Sequence, residues 1–297
     1  MVMRPMRQQA ARTATELLRE DPRTAVVLAE ISTDLFRDAM AHDPTRVVNV
    51  GIMEQTMVGV AAGMAMEGFR PIVHTITPFL VDRPFEQVKL DFGYQGLAGT
   101  FVSTGGANDY TSEGFTHHSP GDVQAMLTIP GMRIVVPGSG PEVAVLLRAV
   151  HASTGVTYLR TSIRSNDSAR EVAFGRHEIV RRGGGATIVA VGPMLDRTLE
   201  AVQDMDVTVV SVTTVQPFDG STLRAVTGET PLVVAVEPFF EGTMAPLLAE
   251  ALADRPARFR SVGIPRAILR AYGEPADHDR ELGLDVVGIR RRIASID

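Results

Sequence analysis

Three kinds of residue in this sequence could do chemistry. The first is a carboxylate, Glu54, placed just after a glycine turn in Val50-Gly51-Ile52-Met53-Glu54-Gln55. At helical spacing Val58, Ala61, Ala62 and Ala65 share its face. A carboxylate heading a row of small apolar residues points into a packed interface, where it is costly unless a donor or a ligand pairs with it. An acid in a first helical turn also complements the macrodipole, so a structural reading stands beside the catalytic one. The second is the Gly-rich polar stretch 104–120, which carries Asp109, Glu113 and the adjacent His117 and His118. Histidine titrates near neutrality and suits proton transfer or anion orientation. The competing reading is a helix cap with surface histidines. Adjacent histidines rarely share one ion and nothing else completes a ligand set, so no metal site is expected in this chain. The third is arginine. Arg160 and Arg164 follow a strand end, where a guanidinium fork could clamp a phosphate; they and Arg7 could equally be surface charge. Phe79 and Phe85 are spaced so that one could face Glu54, although lone aromatics usually belong to cores.

The elements that must position these groups alternate. Helical patterns at 5–20, 54–66, 120–127 and 141–151 fall between apolar strand patterns at 24–29, 69–77, 100–103, 132–137 and 156–160. The polar loop 30–34, with Ser32, follows the first of these strands. That is where α/β folds place ligand contacts, beyond the carboxyl ends of strands. A second αβ set begins after a polar stretch, with strands expected at 186–191, 207–212, 231–236 and 258–263 and Arg181 to Gly185 as a flexible connector. The expected architecture is α/β in two domains, 1–170 and 171–297, each a mostly parallel sheet flanked by helices.

Composition narrows the function classes. Of 297 residues, 44 % are hydrophobic and 22 % charged, a globular balance with ample core. The formal net charge of −6 argues against a nucleic-acid or membrane-surface binder. With no cysteine, disulfides and thiol chemistry are excluded. Residues 1–12 lack an apolar signal-like region and no apolar run is long enough to span a membrane, so the expectation is a cytoplasmic protein. The phosphate-binding Gly-x-x-x-x-Gly-Lys-Ser/Thr loop, the dinucleotide Gly-x-Gly-x-x-Gly and the Gly-x-Ser-x-Gly elbow are all missing.

Taken in order, Val50-Gly51-Ile52-Met53-Glu54-Gln55, the segment from Thr75-Ile76-Thr77-Pro78-Phe79 to Arg83-Pro84-Phe85-Glu86-Gln87-Val88, and Glu113-Gly114-Phe115-Thr116-His117-His118 resemble the thiamine-diphosphate enzymes of the transketolase family. The resemblance covers essentially the whole chain, as a pyrimidine-binding domain plus a transketolase C-terminal domain. It implies that Glu54 hydrogen-bonds a ring nitrogen of the cofactor's aminopyrimidine and favours the tautomer that activates the thiazolium. It implies that Phe79 stacks on the pyrimidine while Ile52 and Phe85 shape its pocket. His117 becomes the substrate-facing histidine, and Arg7 falls where the family carries a substrate-phosphate arginine. Ser32, Glu113, His118, Arg160 and Arg164 are the further substrate-binding candidates.

Three departures matter. Twelve residues before His117, where the family commonly has His, stands Gly105, and the family's Gly-Glu-Asp-Gly is Thr111-Ser112-Glu113-Gly114. Both fall where sugar hydroxyls would be read. The family's diphosphate domain, marked by Gly-Asp-Gly and a later Asn that hold Mg²⁺, has no counterpart. The resemblance therefore implies one subunit of a split transketolase, active with a companion chain that brings the diphosphate and Mg²⁺ domain in an α2β2 assembly. The rival readings are the β subunit of a 2-oxo acid dehydrogenase or decarboxylase-type complex and a non-catalytic binding subunit.

Overall fold

The computed structural model describes residues 3–229 and 231–295. The strands are β1 Thr24–Leu28, β2 Val47–Asn49, β3 Arg70–Ile76, β4 Gly99–Thr104, β5 Arg133–Val135, β6 Val156–Arg160, β7 Glu178–Arg181, β8 Thr187–Val191, β9 Thr208–Val212, β10 Thr214–Gln216, β11 Leu232–Phe240 and β12 Arg258–Ile264. They form a seven-stranded sheet, β10-β5-β6-β4-β3-β1-β2, and a five-stranded sheet, β12-β11-β8-β9-β7. Within each sheet the pairings are parallel except at one edge, where β10 runs against β5 and β7 against β9. Parallel strands covered on both faces need apolar side chains all along, and β1, β4, β6, β8 and β9 are buried at every residue.

Two strands escape the apolar pattern. Arg181 ends β7, so the Arg181–Gly185 stretch expected as a flexible connector is instead the tail of an edge strand and the turn into β8. Strand β10 lies beyond residue 170, yet it pairs with β5 of the first sheet, so the two halves interlock. One core cluster accordingly joins Val27, Val73 and Phe101 of the first sheet to Val189, Val210 and Phe239 of the second.

The register of the first sheet positions the site. Leu28 of β1 lies opposite both Asn49 of β2 and His74 of β3, and Ile76 of β3 lies opposite Thr104 of β4. Four neighbouring parallel strands therefore end at one edge. The segments leaving them carry Ser32, Glu54, Phe79 and the 104–120 stretch.

The Glu54–Met66 helix buries Glu54, Met57, Val58, Ala61 and Ala62. Ala65 is half-buried, while Gly59, Gly63 and Met66 face outward. Ile52 and Met53, just before it, are 69 % and 56 % exposed. Among the described residues no helix is long and apolar enough to cross a membrane.

Candidate active site

Strand β3 runs directly into the Thr77–Val81 helix, with Pro78 in its first turn. Arg83 stands four residues after Phe79, a spacing that lets its side chain fold back over the ring. Its guanidinium carbon lies 4.1 Å from the Phe79 ring centroid. The same group donates from Nη1 to Glu54 Oε2 at 2.5 Å. Glu54 is 1 % exposed, and this ion pair answers the expectation that so buried a carboxylate must be paired. A planar cation is thus held between an aromatic face and a buried acid.

His117 closes the other flank. It ends a short 3₁₀ turn, Phe115–His117, and its ring meets Phe79 edge-on at 5.1 Å. Thr116 Oγ1 lies 3.0 Å from its Nδ1. Beside this group opens a cleft of about 580 Å³ lined by Phe79, Asp82, Arg83, Phe115, His118 and, from the second half of the chain, Phe240. His118 is buried between the rings of Phe115 and His278, and burial pushes its pKa down, toward a neutral imidazole. Glu113 is exposed.

A second polar group sits at the end of β1. Ser32 is buried with φ of +65°, and the exposed Glu30, two residues before it, has the same φ, a conformation costing roughly 1 kcal/mol or more at a non-glycine residue. Arg7 Nε donates to Ser32 Oγ at 2.8 Å, and Ser32 Oγ lies 2.8 Å from His74 Nε2. His74 Nδ1 is 2.7 Å from the carbonyl of Val102, so Nδ1 carries the proton and Nε2 accepts from Ser32. Burial lowers the His74 pKa to about 4, which keeps the ring neutral.

The structure corrects one expectation and reassigns others. Arg160 and Arg164 do not reach the cleft as free cations. Arg160 is 1 % exposed, ion-paired to Asp122 at 2.6 Å, and donates to the Pro238 carbonyl at 3.0 Å. Arg164 is held by Asp109 and by Asp279 at 2.7 Å, and Arg197 also pairs with Asp279 at 2.9 Å. Desolvating these guanidinium groups is repaid only by carboxylates in contact, so the pair joins the two halves of the chain instead of clamping a phosphate. Phe85 is half-buried against the core cluster of Met57 and Val88. Gly105 has φ of +73°, and a Cβ there would lie 2.0 Å from the Tyr110 ring. Tyr110 fills the space a side chain at 105 would take, which gives a physical reason for the glycine.

Sequence reasoning missed Arg83 and His74. Arg83 lies within the Phe79-to-Val88 motif, four residues from Phe79, and that spacing was the available signal. His74 is a lone polar residue in an apolar strand pattern. Among the described residues no group of three or more His, Cys, Asp or Glu is placed to hold a metal ion.

The chain matches two family models, the transketolase pyrimidine-binding domain over residues 3–166 and the transketolase C-terminal domain over residues 175–289. It is 41 % identical to an "Uncharacterized 33.6 kDa protein in fasciation locus" of Rhodococcoides fascians, covering 95 % of this chain and 92 % of that one. It is 31 % identical to a "6-deoxy-6-sulfo-D-fructose transketolase subunit SqwH" of Clostridium sp. (strain MSTE9), covering 81 % and 77 %. One subunit of an apulose-4-phosphate transketolase, from Phocaeicola vulgatus, is 27 % identical over 93 % and 92 %. Among solved structures, "Split gene transketolase, inactive beta4 tetramer" superposes with a TM-score of 0.84 at 24 % identity, over 98 % of this chain and 97 % of that one. This chain belongs to the transketolase family, as a pyrimidine-binding domain followed by a transketolase C-terminal domain.

Proposed function

We propose that this chain is one subunit of a split thiamine-diphosphate-dependent transketolase that moves a two-carbon ketol unit from a ketose to an aldose. The observation that carries the reading is the buried Glu54 carboxylate set across a planar nitrogen group from the face of Phe79. The flat Arg83 guanidinium lies in that slot, and a flat aminopyrimidine ring would lie there in the same way, with its ring nitrogen toward Glu54. The names of the relatives from Clostridium and Phocaeicola, both transketolase subunits, support the same class.

Thiamine diphosphate, when bound, supplies the electron sink for carbon–carbon bond cleavage. Glu54 holds a proton at the pyrimidine nitrogen, in a setting that excludes water. Phe79 orients the ring by stacking on its face. His117, beside Phe79, handles protons of substrate hydroxyls, and His118 reads a hydroxyl further into the cleft. Arg7, fixed by Ser32, binds the distal anionic group of the substrate. Glu113 stands at the rim.

The diphosphate and its Mg²⁺ are assigned to a companion subunit, since Mg²⁺ takes an octahedron of oxygen ligands and among the described residues no group of three or more His, Cys, Asp or Glu is placed to hold a metal ion. The outward face of the Glu54–Met66 helix, with Gly59, Gly63 and Met66, and the exposed Ile52 and Met53 continue the cofactor site. They are the surface this companion covers, in an α2β2 assembly. The test is to purify the chain with the companion encoded beside it and assay ketol transfer against CO₂ release from a 2-oxo acid. Thiamine-diphosphate-dependent ketol transfer supports the reading, and CO₂ release without ketol transfer defeats it.

A further inference from the structure

We infer that Arg83 is an internal occupant of the aminopyrimidine seat, so that cofactor binding to this chain is an exchange in which Arg83 is expelled from between Phe79 and Glu54. The inference rests on the functional reading above and goes beyond it to how the site is filled. Two contacts define that seat, the Phe79 face and the Glu54 carboxylate, and Arg83 makes both. A ring face covered at 4.1 Å has no room for a second stacked group on that side. The two occupants are mutually exclusive.

The chemistry of the pair also differs between the two states. Arginine pairs with the carboxylate form of Glu54, whereas donating to a ring nitrogen requires the carboxylic acid. While Arg83 is in place, Glu54 is therefore matched to the wrong partner for activation. The exchange is open to Arg83 because its side chain is 37 % exposed, on the turn between two short helices, and lines the open cleft. Arg160 and Arg164 contrast with it: their side chains are 1 % and 9 % exposed and are tied to buried carboxylates. Before exchange Arg83 has a useful task. It keeps the buried Glu54 paired, which an isolated carboxylate could not be without cost.

Occupancy by Arg83 lowers apparent affinity by the fraction of time the seat is open. The experiment uses the assembled complex with its companion chain and titrates thiamine diphosphate with Mg²⁺ by calorimetry. Arg83→Ala and Arg83→Gln are compared with the wild type, and melting curves establish that the variants are folded. With the seat filled about nine-tenths of the time, the neutral variants bind about tenfold tighter than the wild type. Arg83→Lys, which keeps the charge but not the planar stack, falls between. Equal or weaker binding by both neutral variants overturns the exchange while leaving the cofactor assignment standing. Binding by none of the proteins, wild type included, overturns the cofactor assignment and the exchange with it.

Discussion

Ser32 Oγ sits 2.8 Å from the Nε2 of His74 and 2.8 Å from the Nε of Arg7, so one buried hydroxyl fixes both a neutral imidazole and a cation. The His74 ring is fixed in turn by the Val102 carbonyl. Arg7 thereby presents its remaining N–H groups in one orientation, which is what bidentate recognition of an anion needs. Ser32→Ala leaves Arg7 in place but free to rotate, and leaves a buried His74 nitrogen without its donor. In the assembled complex, Arg7→Ala should raise KM for a phosphorylated substrate about tenfold to a hundredfold, the worth of one charge-assisted hydrogen bond, with a smaller change in kcat. Ser32→Ala should shift KM in the same direction by less. Steady-state kinetics with phosphorylated and unphosphorylated donors check this, since an unphosphorylated donor should be indifferent to both changes.

Glu54→Gln keeps the shape of the side chain and its burial but removes the acid. A positioned carboxyl group that transfers a proton contributes on the order of 10² to 10⁴ in rate. The substitution should lower kcat by that order while the chain still assembles with its companion. Retained activity within tenfold of wild type would remove Glu54 from the chemistry and return it to a helix-terminus role.

Gly105 and Tyr110 should behave as a unit. The φ of +73° and the 2.0 Å approach of the Tyr110 ring both oppose a side chain at 105. Gly105→Ala alone should destabilise the chain by roughly 2 kcal/mol, from left-handed strain plus overpacking. Tyr110→Ala should recover the overpacking part, and the double-mutant cycle should therefore be non-additive by about 1 kcal/mol. Urea unfolding of the four proteins measures it. Strict additivity would show that the ring does not restrict position 105.

What the sequence made legible follows from how local each signal was. Glu54, Phe79 and His117 each carry a motif within a few residues, and the parallel strands announce themselves as apolar runs. The ion pairs of Arg160 and Arg164 were not legible because Asp122, Asp109 and Asp279, the residues that neutralise them, lie 38, 55 and 115 positions away. No window reading brings those together. Strands β7 and β10 were missed for a related reason. Both are short and sit at sheet edges, and half-exposed Glu178–Arg181 carries no apolar alternation. The Pro275–Leu282 helix did leave a local signature, the reciprocal cap between Glu274 and Asp277 and the left-handed Gly283 after its last turn, but with acids in place of the usual hydroxyl.

Stability should fall on mild acidification, and its slope should depend on Glu237. Burial lowers His74 and His151 from 6.5 to about 4. Between those values the unfolded chain takes up two protons that the folded chain refuses, so folding loses stability as pH falls through that window. Glu237 acts in the opposite sense. Burial raises it from 4.5 to about 7, although it accepts hydrogen bonds from the Gly242 and Met244 amides at 2.6 and 2.9 Å. The folded chain takes that proton first, so this group adds stability as pH falls from 7 to 4.5. Between pH 6.5 and 4.5 the losses at His74 and His151 outweigh the gain at Glu237, each proton being worth about 1.4 kcal/mol per pH unit, and the burial-lowered His118 and His177 add to the loss. Glu237→Gln removes the gain and should steepen that slope by about 1.4 kcal/mol per pH unit. Urea unfolding at half-unit steps from pH 7 to 4.5 measures both proteins. A wild-type stability that rises on acidification, or a Glu237→Gln slope no steeper than the wild type's, would contradict the assignment of these buried groups.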